Sequence, residues 1–159
     1  MRALILAGLL AVPAAAASAD WMDREVGRRI SRAHLSCDEA ASGRTGPTLD
    51  CNGQEFDLQD ARLNRTYRRI MSTLPRAQRE RLRASERAWI RKRDIACWNR
   101  AVRDDGGGGT MATLLTSACI LSQTIRRTIR LERFAAGKAT LADLATDLPN
   151  ERRLPVRRD

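Results

Sequence analysis

The sequence predicts an all-α fold: a small bundle of three main helices with two disulfides, plus a short N-terminal helix and a disordered C-terminal tail. Three observations predict it. Alanine, leucine and arginine dominate while aromatic residues make up only 4% of the chain, a mixture that favours helix over sheet. Apolar residues recur at three- and four-residue intervals along three long stretches. Proline and glycine, which end helices more readily than they continue them, separate those stretches.

The first nineteen residues read as a cleavable export signal rather than as part of the fold. Arg2 is followed by an apolar run from Ala3 to Ala17 and by the small-residue ending Ala17-Ser18-Ala19 before Asp20. The run is shorter than the roughly 20 residues that span a bilayer, so no transmembrane span is expected. Four units follow: a signal peptide over 1–19, an amphipathic segment over 20–36, a helical domain over 37–135 and a weakly structured basic tail over 136–159. The mature chain is expected to be periplasmic or secreted.

The elements follow in order. Met22 to about Leu35 is arginine-rich, with Val26 and Ile30 on one side, and is expected to be a short helix. A loop is expected up to Asn52, which is read as an N-cap, with Glu55 and Asp57 as first-turn charges that favour the helix dipole. Phe56, Leu63, Tyr67, Ile70, Met71 and Leu74 keep helical spacing until Pro75. The second helix is expected from about Arg76 to Val102, with a narrow apolar stripe of Leu82, Trp89 and Ala96. Asp104-Asp105 and the run Gly106 to Gly109 stop it, and Thr110 is read as the cap of a third helix carrying Met111, Leu114, Leu115, Ala118, Leu121, Ile125 and Ile129. That helix is expected to end near Phe134, with Gly137 as terminator; a weak helical stretch around Leu141 to Leu148 follows.

Four cysteines, Cys37, Cys51, Cys97 and Cys119, form an even set in a chain bound for an oxidising compartment, which predicts two disulfides. Of the three possible pairings the local ones are favoured, because Cys37 and Cys51 flank a turn-rich segment and Cys97 and Cys119 flank the glycine run. Closing loops of this length contributes about 3 kcal/mol each in the chain-entropy model. No metal or cofactor is expected, since there is no Cys-x-x-Cys and His34 is the only histidine.

Two polar-apolar constellations stand out. Asp60, Leu63, Asn64 and Tyr67 lie along one side of a helix, and Trp89, Arg93 and Cys97 along one side of the next. Because buried charges persist only when paired, Arg93 is expected to donate to Asp60 and Asn64, a polar lock around Tyr67 and Trp89. No catalytic residue is expected: Asp60 lacks a second carboxylate across a cleft, and no serine or cysteine nucleophile has an evident base.

The series Cys37, Cys51, Asp60, Leu63-Asn64, Tyr67, Leu82, Ala88-Trp89, Arg93-Asp94, Cys97, a glycine-rich turn, Cys119, Thr124, Arg127 and Leu131 resembles the LprI-type lysozyme-inhibitor domain of bacterial envelope proteins. Two positions depart from that pattern: Glu86, where the family usually has glutamine, and Gly109-Thr110, where Gly-Ser is usual. The resemblance implies a small disulfide-bonded helical fold without a cofactor, and lysozyme or a related wall hydrolase as partner.

Charge poses a competing expectation. The formal net charge is +10, and loss of residues 1–19 with their single arginine leaves +9. Twelve basic residues lie between Ala61 and Arg93, against Glu80 and Glu86. The candidate binding surface is therefore Arg62, Arg65, Arg69, Arg76, Arg83, Arg87 and Arg91, with Asp104 and Asp105 as a local acidic patch. Export and the lack of interleaved aromatics argue against nucleic acid and for anionic envelope polymers or lipids. Long-range repulsion also opposes approach to a basic lysozyme, so an inhibitor would rely on a local acidic patch, formed by Asp104 and Asp105 or by Asp57 and Asp60.

Overall fold

The computed structural model describes residues 14–146, with side chains from Trp21 onward. Most of the expected signal peptide and the tail beyond 146 lie outside the described residues. The described residues form six helices: α1 (Ala14–Arg29), α2 (Arg32–Ala41), α3 (Thr45–Thr73), α4 (Arg76–Asp105), α5 (Thr110–Ala135) and α6 (Leu141–Ala145). No strand occurs among the described residues, and no described helix is long and apolar enough to cross a membrane.

The three main helices are α3, α4 and α5, as the periodicity predicts, and α5 lies against both others. Asn52 of α3 reaches Ser117 of α5, so these two run parallel, while the Cys97–Cys119 disulfide and the Glu86–Arg127 ion pair set α4 antiparallel to α5. The core falls into two clusters. Leu63, Ile70, Leu82, Trp89, Leu131 and Leu144 fill the space between α3, α4, α5 and α6. Met22 of α1 closes over Leu121, Ile125 and Ile129 of α5 in the second.

The N-terminal half departs from the sequence reading in several respects. The stretch from Met22 to Leu35 is broken at Ile30 and Ser31: Ser31 caps α2 by accepting from the His34 amide at 3.0 Å. The expected loop up to Asn52 is instead α2, a three-residue turn and the start of α3. Ser42 and Gly43, at φ 50° and 73°, make that turn. Gly46 and Pro47 sit in the first turn of α3, where a missing amide proton leaves no helix bond unmade.

Asn52 is therefore no N-cap. It is buried in mid-helix and donates to Ser117 Oγ at 2.9 Å. Glu55 and Asp57 are not first-turn charges either. Glu55 is buried and accepts from the Ser31 amide at 3.1 Å, the Ser31 hydroxyl at 2.5 Å and Gln59 Nε2 at 2.6 Å, fastening α2 to α3. The Cys37–Cys51 disulfide joins the same two helices.

At the other end, α4 continues to Asp105 and stops at Gly106, φ 75°. Thr110 is the first residue inside α5 and gives no side-chain cap; Gly109 holds the N-cap position. The expected weak tail contains α6, opened by a capping box between Thr140 and Asp143, and Leu144 is fully packed into the core.

Burial by itself raises the Glu55 carboxyl, but donation from Ser31 and Gln59 outweighs it and holds the group below its ordinary 4.5. The charged form is the one the fold prefers, so its stabilisation is complete above 4.5 and is lost as pH falls through the lower folded value. Glu55→Gln should unfold more easily than the parent at neutral pH, by about 1 kcal/mol, with the gap closing in acid. Thermal melts of both proteins across that range check this.

Candidate functional site

The central polar constellation forms inside the bundle, with partners other than those expected. Arg127 is completely buried on α5. Its Nε and Nη2 donate to Glu86 Oε1 at 3.0 and 2.6 Å, Nη2 also to Ser85 Oγ at 3.0 Å, and Nη1 to the Leu144 carbonyl at 2.8 Å. Trp89 lies between two guanidinium groups, with Arg93 4.9 Å and Arg127 5.5 Å from the ring centre. Leu82, Glu86, Trp89, Arg93 and Cys97 share one side of α4, so the narrow apolar stripe is completed by a buried carboxylate and a buried guanidinium.

The expected Arg93–Asp60 pair is not formed. Arg93 turns instead to Thr124 of α5, whose hydroxyl it reaches at 3.1 Å, and to the neighbouring Asp94 at 2.8 Å, with the Phe56 ring on its other side. The reason lies in α5: Thr124 is fully buried between the helices and donates its hydroxyl hydrogen bond to the Ile120 carbonyl, leaving a lone pair for Arg93. Asp60 accepts from Asn64 at 2.7 Å within α3. Tyr67 is half-buried and packs against the Leu63–Trp89 cluster. Of the seven motif residues, Trp89, Arg93, Thr124 and Arg127 thus form one seam, and Asp60 and Asn64 a separate pair.

The proposed basic surface divides. Arg62, Arg65 and Arg69 of α3 line a groove with Thr66 and Glu132 that contains none of the α4 arginines. Arg62 also donates to the Arg29 carbonyl at 3.3 Å. Arg83, Arg87 and Arg91, at four-residue intervals, are exposed on α4. Arg76 makes an exposed ion pair with Glu80, a contact of little energetic weight.

The end of the α4–α5 hairpin combines several features the sequence marked separately. The Cys97–Cys119 disulfide pins the two helices there. Asp104 is exposed and pairs loosely with Arg100 at 3.5 Å, while Asp105 accepts from the Gly109 amide at 3.0 Å and so fixes the glycine turn. Around them Ile95, Trp98, Met111 and Leu115 are exposed apolar side chains, and a shallow groove of about 200 Å³ runs between Ala101 and Leu115.

Several residues escaped the sequence reading. Glu86 carries the carboxylate for Arg127; the signal was its place seven residues before Arg93 on the Leu82–Trp89 side. Ser31, as a cap before Arg32, announced α2. Arg126, Arg130 and Arg133 recur at helical spacing on α5 and line a cleft with Trp21. The groups that could act as acid or base are held in the structure: Glu55 by Ser31, and His34 by donating from Nδ1 to the Cys51 carbonyl at 3.2 Å.

Comparison with known proteins places residues 37–131, more than half of the chain, on the family model described as lysozyme inhibitor LprI. An uncharacterized protein of Rhizobium meliloti (strain 1021) is 30% identical over 95 residues, covering 52% of this chain and 67% of its own length. No solved structure matches the chain.

Removing one member of a buried ion pair leaves the other charge uncompensated. Glu86→Ala should therefore destabilise the fold by about 3 kcal/mol or more, and Glu86→Gln, which keeps an acceptor, by clearly less. Arg127→Met strands the Glu86 carboxylate in the same way and should cost a similar amount, whereas the double change Glu86→Leu/Arg127→Met, which removes both charges, should be milder than either Glu86→Ala or Arg127→Met. Chemical denaturation of the four variants gives that order.

Proposed function

The chain belongs to the LprI lysozyme-inhibitor family, and from that premise we propose that it is an exported, non-enzymatic binding protein that inhibits lysozyme or a related wall hydrolase by protein–protein contact. The observation that carries the reading is the match over residues 37–131, which contains α4, the glycine turn and all but the last four residues of α5. We assign the contact to the end of that hairpin. A disulfide-pinned tip is ordered before it binds, so little entropy is lost on association. Its exposed Trp98, Met111 and Leu115 supply apolar area, and Asp104 supplies a local negative charge through which an otherwise basic molecule can meet a basic enzyme. The two disulfides suit the oxidising compartment that export implies.

A second reading rests on a different observation. Arg83, Arg87 and Arg91 form an exposed row on α4 that leads toward Ile95 and Trp98, an arrangement suited to anionic polymers or lipid headgroups of the envelope. Under it the protein is a structural or adsorbing module rather than an inhibitor.

A turbidity assay of cell-wall lysis at low and moderate salt separates the two. The inhibitor reading expects saturable loss of lysis near equimolar protein at both salts, weakened about tenfold or more by Trp98→Ala combined with Asp104→Asn and unchanged by Arg87→Gln. Full lytic activity of several lysozymes under excess protein, with adsorption to walls that vanishes as salt rises, would falsify it in favour of the adsorbing module.

A further inference from the structure

A groove runs between the second half of α3 and the end of α5, and it has two parts. The first, of about 360 Å³, is lined by Arg62, Arg65, Thr66 and Arg69 of α3, with Glu132 of α5 as its carboxylate. The second, of about 460 Å³, turns apolar, with Ile70, Leu74 and Phe134 in its lining. Arg69 and Glu132 border both, so the two parts are continuous.

Charge in the first part is unbalanced. Glu132 is engaged by Arg29 of α1 at 2.7 Å, and Arg29 also bonds Glu25 at 3.1 Å, which Arg28 reaches at 2.7 Å. Arg28 and Arg29 thus account for both carboxylates. Among the described residues Arg62 donates to neutral acceptors, the Arg29 carbonyl at 3.3 Å and Gln59 Oε1 at 3.5 Å, while the side chains of Arg65 and Arg69 make no ion pair or hydrogen bond. Thr66 is only 8% exposed and lines the groove, yet its hydroxyl bonds nothing among the described residues. A buried hydroxyl ordinarily has a partner, and one left open among three guanidinium groups marks a place for the oxygens of an anion.

Dimensions select the ligand. Arg62, Arg65 and Arg69 are spread over about 10 Å of helix, and Leu74 lies about 13 Å along from Arg65. A lipid brings one headgroup to three separate cations, and a phosphate-bearing glycan leaves the apolar part empty. A peptide meets both conditions, since its side chains present carboxylates about 5 to 7 Å apart along one side and apolar groups further on. We propose that this groove docks an acidic peptide segment of a partner protein, with carboxylates against Arg62, Arg65, Thr66 and Arg69 and an apolar side chain against Ile70, Leu74 and Phe134. It lies at the end of α5 remote from the α4–α5 tip, so it is a second contact surface, separate from hydrolase inhibition.

The test follows the fluorescence anisotropy of a labelled ten-residue peptide, four glutamates followed by leucine and phenylalanine among serines, titrated with mature protein at about 0.15 M salt. The expected result is saturable binding that weakens about tenfold or more in Arg65→Gln/Arg69→Gln, both exposed, and by a similar factor when serines replace the leucine and phenylalanine. Arg83→Gln/Arg87→Gln, which removes the same charge from α4, should bind like the parent. Arg65→Gln alone gives the same direction if the double variant melts early. Absence of saturable binding overturns the proposal. So does equal weakening by the α3 and α4 pairs, which means net charge alone, or equal binding of the serine peptide, which means any polyanion. Binding of phosphatidylglycerol vesicles in place of the peptide, lost in the same α3 variant, overturns it in favour of a lipid.

Discussion

A guanidinium with no exposure to water sits at the centre of this bundle, and the rest of the structure is arranged to keep it neutralised. Arg127 faces the Glu86 carboxylate, the Ser85 hydroxyl and the Leu144 carbonyl, each from a different position around its plane. An isolated ion in such surroundings costs many kcal/mol, so the partners must arrive together and in register. That requirement fixes how far α4 slides along α5, and Trp89 follows because its ring fills the space between Arg127 and Arg93. Apolar packing alone would tolerate several offsets between two long helices. A buried fork-shaped cation tolerates one.

The two ends of the bundle are secured differently. Where α3, α4, α5 and α6 converge, large apolar side chains such as Leu82, Leu131 and Leu144 exclude water and need no covalent help. Toward the α4–α5 turn the buried side chains shrink to Ala101 and Ala112, too little area to hold two helices together. The Cys97–Cys119 bond takes over there. It also explains how Trp98, Met111 and Leu115 can stay exposed without the hairpin opening: the covalent link supplies the constraint that burying them would otherwise have supplied.

Much of the architecture was legible because it obeys simple periodicity. The spacing of Leu63, Ile70 and Tyr67, of Leu82 and Trp89, and of Leu121, Ile125 and Ile129 located the three long helices, and the turns between cysteines gave the correct disulfide pairing. The failures share a cause. Ser42-Gly43-Arg44-Thr45-Gly46-Pro47 has the composition of a loop, yet three of its residues suffice for the turn and the others fit the first turn of α3, where glycine and proline do least harm. Asn52 and Glu55 read as the start of a helix and Glu86 as one acid among the arginines, because a charged or polar side chain is usually exposed; each instead satisfies a specific partner far away in sequence. Arg93 chose Thr124 over Asp60 because spacing along one helix says which residues share a side, but not which neighbour that side meets.

One carbonyl oxygen sets the boundaries of the folding unit. Leu144 lies thirteen residues past the last position that matches the family, yet its backbone oxygen accepts a hydrogen bond from Arg127 and its side chain is buried against α4 and α5. Met22 does the corresponding service on the opposite flank, ahead of the first matched cysteine. The stretch by which relatives are recognised is accordingly shorter than the stretch that packs into the two core clusters, and a fragment trimmed to the recognisable part would lose one of the acceptors around its buried Arg127.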